Sequence, residues 1–329
     1  MVVGVDASST SVPALRWAIR EAAIRRVPIH LVSAWSTDYD IDSLGLAAAV
    51  VEQHCRSILD AARADIAAVE PGISVMTRAY IGPASRALVE ASAGADIVVV
   101  GTRGLRPLPA LLLGTTSLEV AAHATCPVVV VRESDGPHPD DGPVVVGVDG
   151  SALSGDAIAF AFAHASAHGL GLTVLHAFAL EHGGQAVSPL TVEESNVRLS
   201  QEELALTSEA VAGWREKFPD VDIKTATVHS HPVAALVDAS RTAGLVVVGT
   251  RGRGALSGAL LGSVSHSVLR RSHCRVRCGA SAAEPRRTAG AAARSLNATK
   301  QIPIIEGARQ TQQHQPTPRR RRRRRCRSQ

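Results

Sequence analysis

Two glycine clusters with the same internal spacing are the residues most able to do chemistry in this chain. Gly101-Thr102-Arg103-Gly104 is followed, after nine intervening residues, by Gly114-Thr115, and Gly249-Thr250-Arg251-Gly252 is followed, after nine intervening residues, by Gly262-Ser263. Each cluster comes directly after an apolar, valine-rich run, Ile97 to Val100 and Leu245 to Val248. Glycines between a buried strand and the start of a helix let main-chain N–H groups approach a phosphate closely, and the helix dipole favours the negative charge there. The chemistry in view is anion binding. The same glycines could also serve only tight turns and close packing of helix on sheet.

Other phosphate motifs are excluded by spacing. A Walker A loop needs a glycine followed by Lys and Ser/Thr, and none of the three lysines, Lys217, Lys224 and Lys300, follows a glycine. The first strand-to-helix turn, Gly4-Val5-Asp6-Ala7, lacks the Gly-x-Gly-x2-Gly of a dinucleotide site. No lysine, general base or metal-carboxylate cluster stands beside the glycine motif, so no catalytic residue set is expected and slow phosphate hydrolysis is the most that enzyme chemistry could be. Ser263 and His266 fall one helical turn apart, but no acid is placed to orient the histidine, and they read as helix surface. His273, Cys274 and Cys278 have poor zinc spacing, so no metal site is expected there. Arg103 and Arg251 suit either phosphate neutralisation or a surface ion pair.

The elements that must position the glycines are themselves duplicated. Met1-Val2-Val3-Gly4-Val5-Asp6-Ala7-Ser8 aligns with Val144-Val145-Val146-Gly147-Val148-Asp149-Gly150-Ser151 at an offset of 143 residues, and the second valine runs align at an offset of 148. A unit of that length is a domain rather than a solenoid repeat. In the first half the pattern predicts strands at 2–6, 29–34, 73–80, 97–101 and 128–131, alternating with helices at 12–25, 46–69, 83–93 and 115–124. Continuous Val/Ile runs, rather than alternation, indicate strands covered on both faces. The expected fold is α/β: two tandem doubly wound parallel-sheet domains, residues 1–134 and 144–278, joined by a turn-rich linker at 135–143.

Charge separates the body from the C-terminal region. Residues 279–329 hold thirteen of the 35 basic residues and two of the 30 acidic ones, so the preceding 278 carry 22 basic against 28 acidic. The overall basic balance is therefore no argument that the folded part binds nucleic acid. Residues 279–329 are poor in aromatic and β-branched residues and are expected to be a disordered Arg-rich tail; Arg319 to Arg325 is the one place where a polyanion could be clamped. Five irregularly spaced cysteines read as reduced thiols, no apolar run approaches membrane-spanning length, and the start has no basic leader region, which makes the cytoplasm the expected location.

With these residues in place, the chain resembles the universal stress protein family in its tandem form. The likeness spans roughly residues 1–278 and rests on the twice-repeated G-x2-G-x9-G-(S/T) of the ATP-binding branch, the Gly-Val-Asp opening, Gly82-Pro83-Ala84, and Cys126-Pro127-Val128 before the last strand. It implies an adenine nucleotide fold binding ATP, with or without Mg2+, at the carboxyl ends of the strands. Asp6 would face adenine or ribose and Ala34 the base; Gly101 and Gly104 would lie against ribose and phosphate; Gly114, Thr115 and Ser117 would bind phosphate. The matching positions in the second half are Asp149, Ala177, Gly249, Gly252, Gly262, Ser263 and Ser265. The resemblance further implies a nucleotide-dependent regulatory or stress-response module, and a pseudo-dimer between the halves or a homo-oligomer.

Four departures from the family pattern carry expectations of their own. Ala7 replaces the glycine kept as Gly150, which would disturb the first turn if that position needs positive φ. His231 replaces Gly82, so the two loops should differ. Met1 aligns with Val144 inside the first strand, which sets the expected beginning of that strand a few residues upstream. Finally, Val128-Val129-Val130-Val131 is answered by Val276-Arg277-Cys278-Gly279. The loss of the valine run predicts that the second half lacks its fifth strand and that the edge of 128–131 is exposed.

Overall fold

A computed structural model describes residues 1–35, 45–102, 113–132, 142–151, 154–178, 208, 211–250 and 261–279. The Arg-rich tail, most of the linker, and both Arg103 and Arg251 lie outside the described residues. In the first half β1 (Val2–Gly4), α1 (Ser11–Arg25), β2 (Ile29–Trp35), α2 (Gly45–Val69), β3 (Val75–Ile81), α3 (Ala84–Ser92), β4 (Val98–Gly101), α4 (Thr115–His123) and β5 (Val128–Val131) follow in order. The second half repeats the order with β6 (Val144–Val148), α5 (Ser154–His168), β7 (Leu172–Phe178), α6 (described over 211–217), β8 (Ile223–His229), α7 (Pro232–Ala239), β9 (Leu245–Val247), α8 (Ser263–Arg271) and β10 (Arg275–Cys278).

Among the described residues, ten strands form one sheet in the order β3-β2-β1-β4-β5-β10-β9-β6-β7-β8. Within each half every pairing is parallel, as the apolar runs require, and the same 3-2-1-4-5 order appears twice. Even the register is repeated: Val2 lies beside Val98, and its counterpart Val145 lies beside Val246.

The expected loss of the fifth strand is overturned. β10 pairs in parallel with β9 and antiparallel with β5, which also covers the edge expected to be exposed. Strand pairing is made by main-chain N–H and C=O groups, and two neighbouring strands here each offer an unfilled row of them. The side chains of β10 need only alternate. Val276 and Cys278 enter the core shared with Val128, Val130, Val246 and Leu269, while Arg277 points to the other face. The valine run was the wrong criterion, because a central strand can tolerate a long side chain where the opposite face supplies a ring to cover it.

The two faces of the sheet are packed differently. On one, α3, α4, α7 and α8 build a single core that runs across both halves, with Leu88, Val120, Leu236 and Val268 against the strands. On the other, α1 and α2 cover the first half and α5 the second in separate clusters, and Phe160 of α5 touches both. The halves are thus joined by main-chain bonds at β5–β10 and by a common apolar layer.

Candidate functional site

The order 3-2-1-4-5 reverses between β1 and β4, and again between β6 and β9. In open α/β sheets the crevice for a ligand opens there, beyond the carboxyl ends of the strands. Asp6 follows β1, Ala34 is the penultimate residue of β2, and Gly101 closes β4, so the first-half candidates converge on one edge. Asp149, Ala177 and Gly249 do the same after β6, in β7 and after β9.

Each aspartate is held in place by an Asx-type turn. The Ser8 N–H donates to Asp6 Oδ1 at 3.0 Å, and the Ser151 N–H donates to Asp149 Oδ1 at 3.0 Å. The hydroxyls of Ser8 and Ser151 reinforce the same oxygens. Ser154 adds a third bond to Asp149 Oδ1 at 2.7 Å, while its counterpart Ser11 donates instead to the Asp6 carbonyl at 2.7 Å. Gly150 sits at φ 72°, in the left-handed region, whereas Ala7 has no positive φ. The first turn therefore follows a different backbone path and still delivers the same aspartate–serine bond. One carboxylate oxygen of each aspartate is occupied by these turns.

The head of the phosphate-type loop is equally well defined. The Gly114 N–H donates to the Thr102 carbonyl at 2.7 Å, and the Gly262 N–H donates to the Thr250 carbonyl at 2.7 Å, so in each half the helix start is bonded back to the end of its own strand. The Ser117 hydroxyl donates to the Gly101 carbonyl at 2.6 Å, and Ser265 to Gly249 at 2.6 Å. Both serines are buried. Strand end and helix start are thereby bonded twice in each half, at matching distances. Gly114 and Gly262 cap α4 and α8 at φ −65° and −69°, values open to any residue, and neither helix carries an acid in its first turn. Thr115 and Ser263 open the two helices, where unpaired N–H groups lie. Gly104 and Gly252 lie outside the described residues.

Gly101 has a second task. A Cβ there would stand 2.6 Å from the Thr10 carbonyl oxygen and 2.8 Å from its hydroxyl, so the residue must be small for α1 to approach β4. Close packing therefore accounts for at least this glycine. The serines that fix the aspartates, and Thr10 itself, were not singled out by the sequence; the Asp-x-Ser spacing repeated at Asp6 and Asp149 was the available signal. The loops before α3 and α7 differ as expected, since His231 itself caps α7, its Nδ1 accepting from the Val233 N–H, whereas Pro83 caps α3 without a side-chain bond. His266 is only partly exposed, on the first turns of α8. Cys274 and Cys278 are buried thiols on or beside β10.

These features define a pseudo-symmetric, doubly wound α/β protein in which the candidate residues of each half gather at the carboxyl ends of its strands. The chain belongs to the universal stress protein family, which it matches over residues 1–132 and 142–278. It is 37% identical over 276 residues to a universal stress protein of Mycolicibacterium smegmatis, with 82% of this chain and 92% of that protein covered. It is likewise 37% identical over 286 residues to universal stress protein Rv2623 of Mycobacterium tuberculosis, with the same coverage. Among solved structures, a universal stress protein from Archaeoglobus fulgidus superposes with a TM-score of 0.60 at 18% identity, covering 85% of this chain and 98% of that one, a likeness of fold. No described helix is long and apolar enough to cross a membrane.

Proposed function

We propose that the chain is an ATP-binding member of its family, acting as a nucleotide-dependent regulatory or stress-response module without efficient catalysis. Its working units are residues 1–134 and 144–278, joined by 135–143. The observation that carries this reading is the repetition of one closed loop: Ser117 on Gly101 and Ser265 on Gly249, both at 2.6 Å, beneath a glycine-capped helix start free of acids. Turns that served packing alone would not need to repeat both bonds at the same helix start.

In this reading the triphosphate lies against the N–H groups at Thr115 and Ser263, beside Gly114 and Gly262. Ser117 and Ser265 act by pinning the loop, since their O–H groups are committed to carbonyls. Asp6 and Asp149 face ribose or adenine, and Ala34 and Ala177 leave room for the base. A Mg2+ ion would be held mainly by phosphate and water, because the aspartates are tied into their turns. Chemistry is not supported: neither α4 nor α8 brings a lysine or an acid in its first turn to the phosphate position.

Equilibrium ATP binding to the full chain, followed by single-turnover hydrolysis, tests the proposal. Retention of one or two nucleotides without turnover is the expected result. A properly folded chain that stays empty at millimolar ATP rejects it, and repeated turnover replaces it with a slow ATPase.

A further inference from the structure

Helices α1 and α5 are counterparts at the offset of 143, so Trp17 answers Phe160, Glu21 answers His164, and Arg25 answers His168. Glu21 of the first half meets His164 and His168 of the second in one cluster. His168 Nε2 lies 2.8 Å from Glu21 Oε2, and His164 Nδ1 lies 3.4 Å from Glu21 Oε1. Glu21 and His164 are 1% and 4% exposed. Despite its proximity, His164 Nδ1 makes no hydrogen bond, which leaves a buried polar nitrogen aimed into the cluster without a partner.

We propose that Glu21, His164 and His168 form a transition-metal site, best suited to Zn2+, that ties the two halves of the chain together. The two histidines are i and i+4 on α5 and project from one face, with ring centroids 4.1 Å apart. The candidate ligand atoms all lie within 4.8 Å of one another. Ligand atoms around a tetrahedral zinc at about 2.0–2.1 Å stand roughly 3.3 Å apart; His168 Nε2 is 2.8 Å from Oε2 and His164 Nδ1 is 3.4 Å from Oε1, so a turn of the Glu21 carboxylate presents one oxygen to both histidines. The metal takes the place of the proton between Glu21 and His168 and gives His164 Nδ1 its missing partner.

The surroundings are built to hold this arrangement. The His164 ring lies between Trp17 and Phe160, at centroid distances of 6.3 and 5.9 Å, which restricts its rotation. Arg25 pairs with Glu21 Oε1, the oxygen that also faces His164, and so fixes the carboxylate with Oε2 towards His168. Three protein ligands leave a fourth position, and a cavity of about 600 Å³ lined by Trp17, Arg20, Glu21, His164, His168 and Arg275 opens beside them. The arginines on that wall favour hydroxide or a small anion as the fourth ligand. Two neutral imidazoles and one carboxylate, in a basic neighbourhood, select a borderline-soft ion over Mg2+ or Ca2+.

The test is a Co2+ titration of the nucleotide-free full chain, with Zn2+ competition and thermal unfolding alongside. One Co2+ per chain with the intense visible absorption of four-coordinate cobalt, displaced by Zn2+, and a rise in Tm of several degrees that EDTA reverses, are expected. His168→Gln keeps a hydrogen-bonding group at the part-exposed ligand and should fold; its affinity should fall at least about tenfold, the loss typical of removing even an outer-shell support. Glu21→Gln should do the same and serves as the second variant. Absence of binding up to ~1 mM metal, or binding that His168→Gln leaves unchanged, overturns the proposal. ATP affinity is read separately, so failure here leaves the nucleotide reading intact.

Discussion

Val129 and Arg277 stand opposite each other where the two halves meet, paired across the antiparallel β5–β10 junction. They are also the same position of the repeat, three residues after the equivalent cysteines Cys126 and Cys274. The pseudo-twofold axis therefore passes between them, and the same site is solved with a valine on one side and an arginine on the other. Arg277 is 1% exposed, its guanidinium lies 4.9 Å from the Phe160 ring centroid, and its Nε and Nη1 have no hydrogen-bond partner. Burial pushes its pKa down to about 10, still charged at neutral pH.

A buried cation answered mainly by an aromatic face is expensive, and apolar replacement of buried ions is often stabilising by about 1–4 kcal/mol. Arg277→Met should therefore raise stability by about 1–3 kcal/mol, with Tm shifted upward by several degrees. Chemical denaturation of the two proteins checks this; a less stable Arg277→Met would mean the cation is better satisfied than its contacts indicate.

The two glycines of the first loop should separate packing from binding. Gly101→Ala places a Cβ against the Thr10 carbonyl and should destabilise the fold by about 1–3 kcal/mol, the usual range for overpacking. Gly114→Ala has no conformational penalty at φ −65° and should fold normally while weakening ATP binding. Melting curves and ATP titrations on both variants decide it, and equal ATP affinity for Gly114→Ala and the parent chain would assign that glycine to packing.

α1 and α5 end in the same way but with different residues. Arg26 at φ 54° and Gly169 at φ 64° occupy equivalent positions in the left-handed region. A side chain there costs about 1–2 kcal/mol, and Arg26 is exposed. Arg26→Gly should stabilise the chain by about 0.5–1 kcal/mol after the added freedom of the unfolded glycine is subtracted. Urea midpoints at constant m-value measure it.

Burial pushes the thiols of Cys126, Cys274 and Cys278 up to about 12 from an ordinary value of 9.0. At pH 8 they should resist iodoacetamide in the folded chain and react once it is unfolded, as mass mapping would reveal. The linkage sign is definite. Above pH 9 the unfolded thiols ionise while the folded ones keep their protons, so stability must fall between about pH 9 and 12, by up to about 1.4 kcal/mol per thiol per pH unit. Rapid labelling at pH 8 under native conditions would show that these strands open readily.

Much of this protein could be read along the chain. The duplication, the parallel character of the strands and the boundaries of α1, α4 and β5 follow from valine runs and helical periods, which report local burial. The candidate loop was legible for the same reason, because its glycines, Thr115 and Ser117 lie within one stretch of chain. What tertiary structure alone decided involves partners far apart in sequence. β10 exists because β5 and β9 offer it two open edges, although its own side chains argue against a strand. Gly101 is small because Thr10, at the start of α1, is packed against the end of β4, and Glu21 finds His164 only when α1 and α5 are brought across the junction. A sequence pattern records which face of an element is dry; which element will cover that face, and with what side chain, is settled only when the sheet closes.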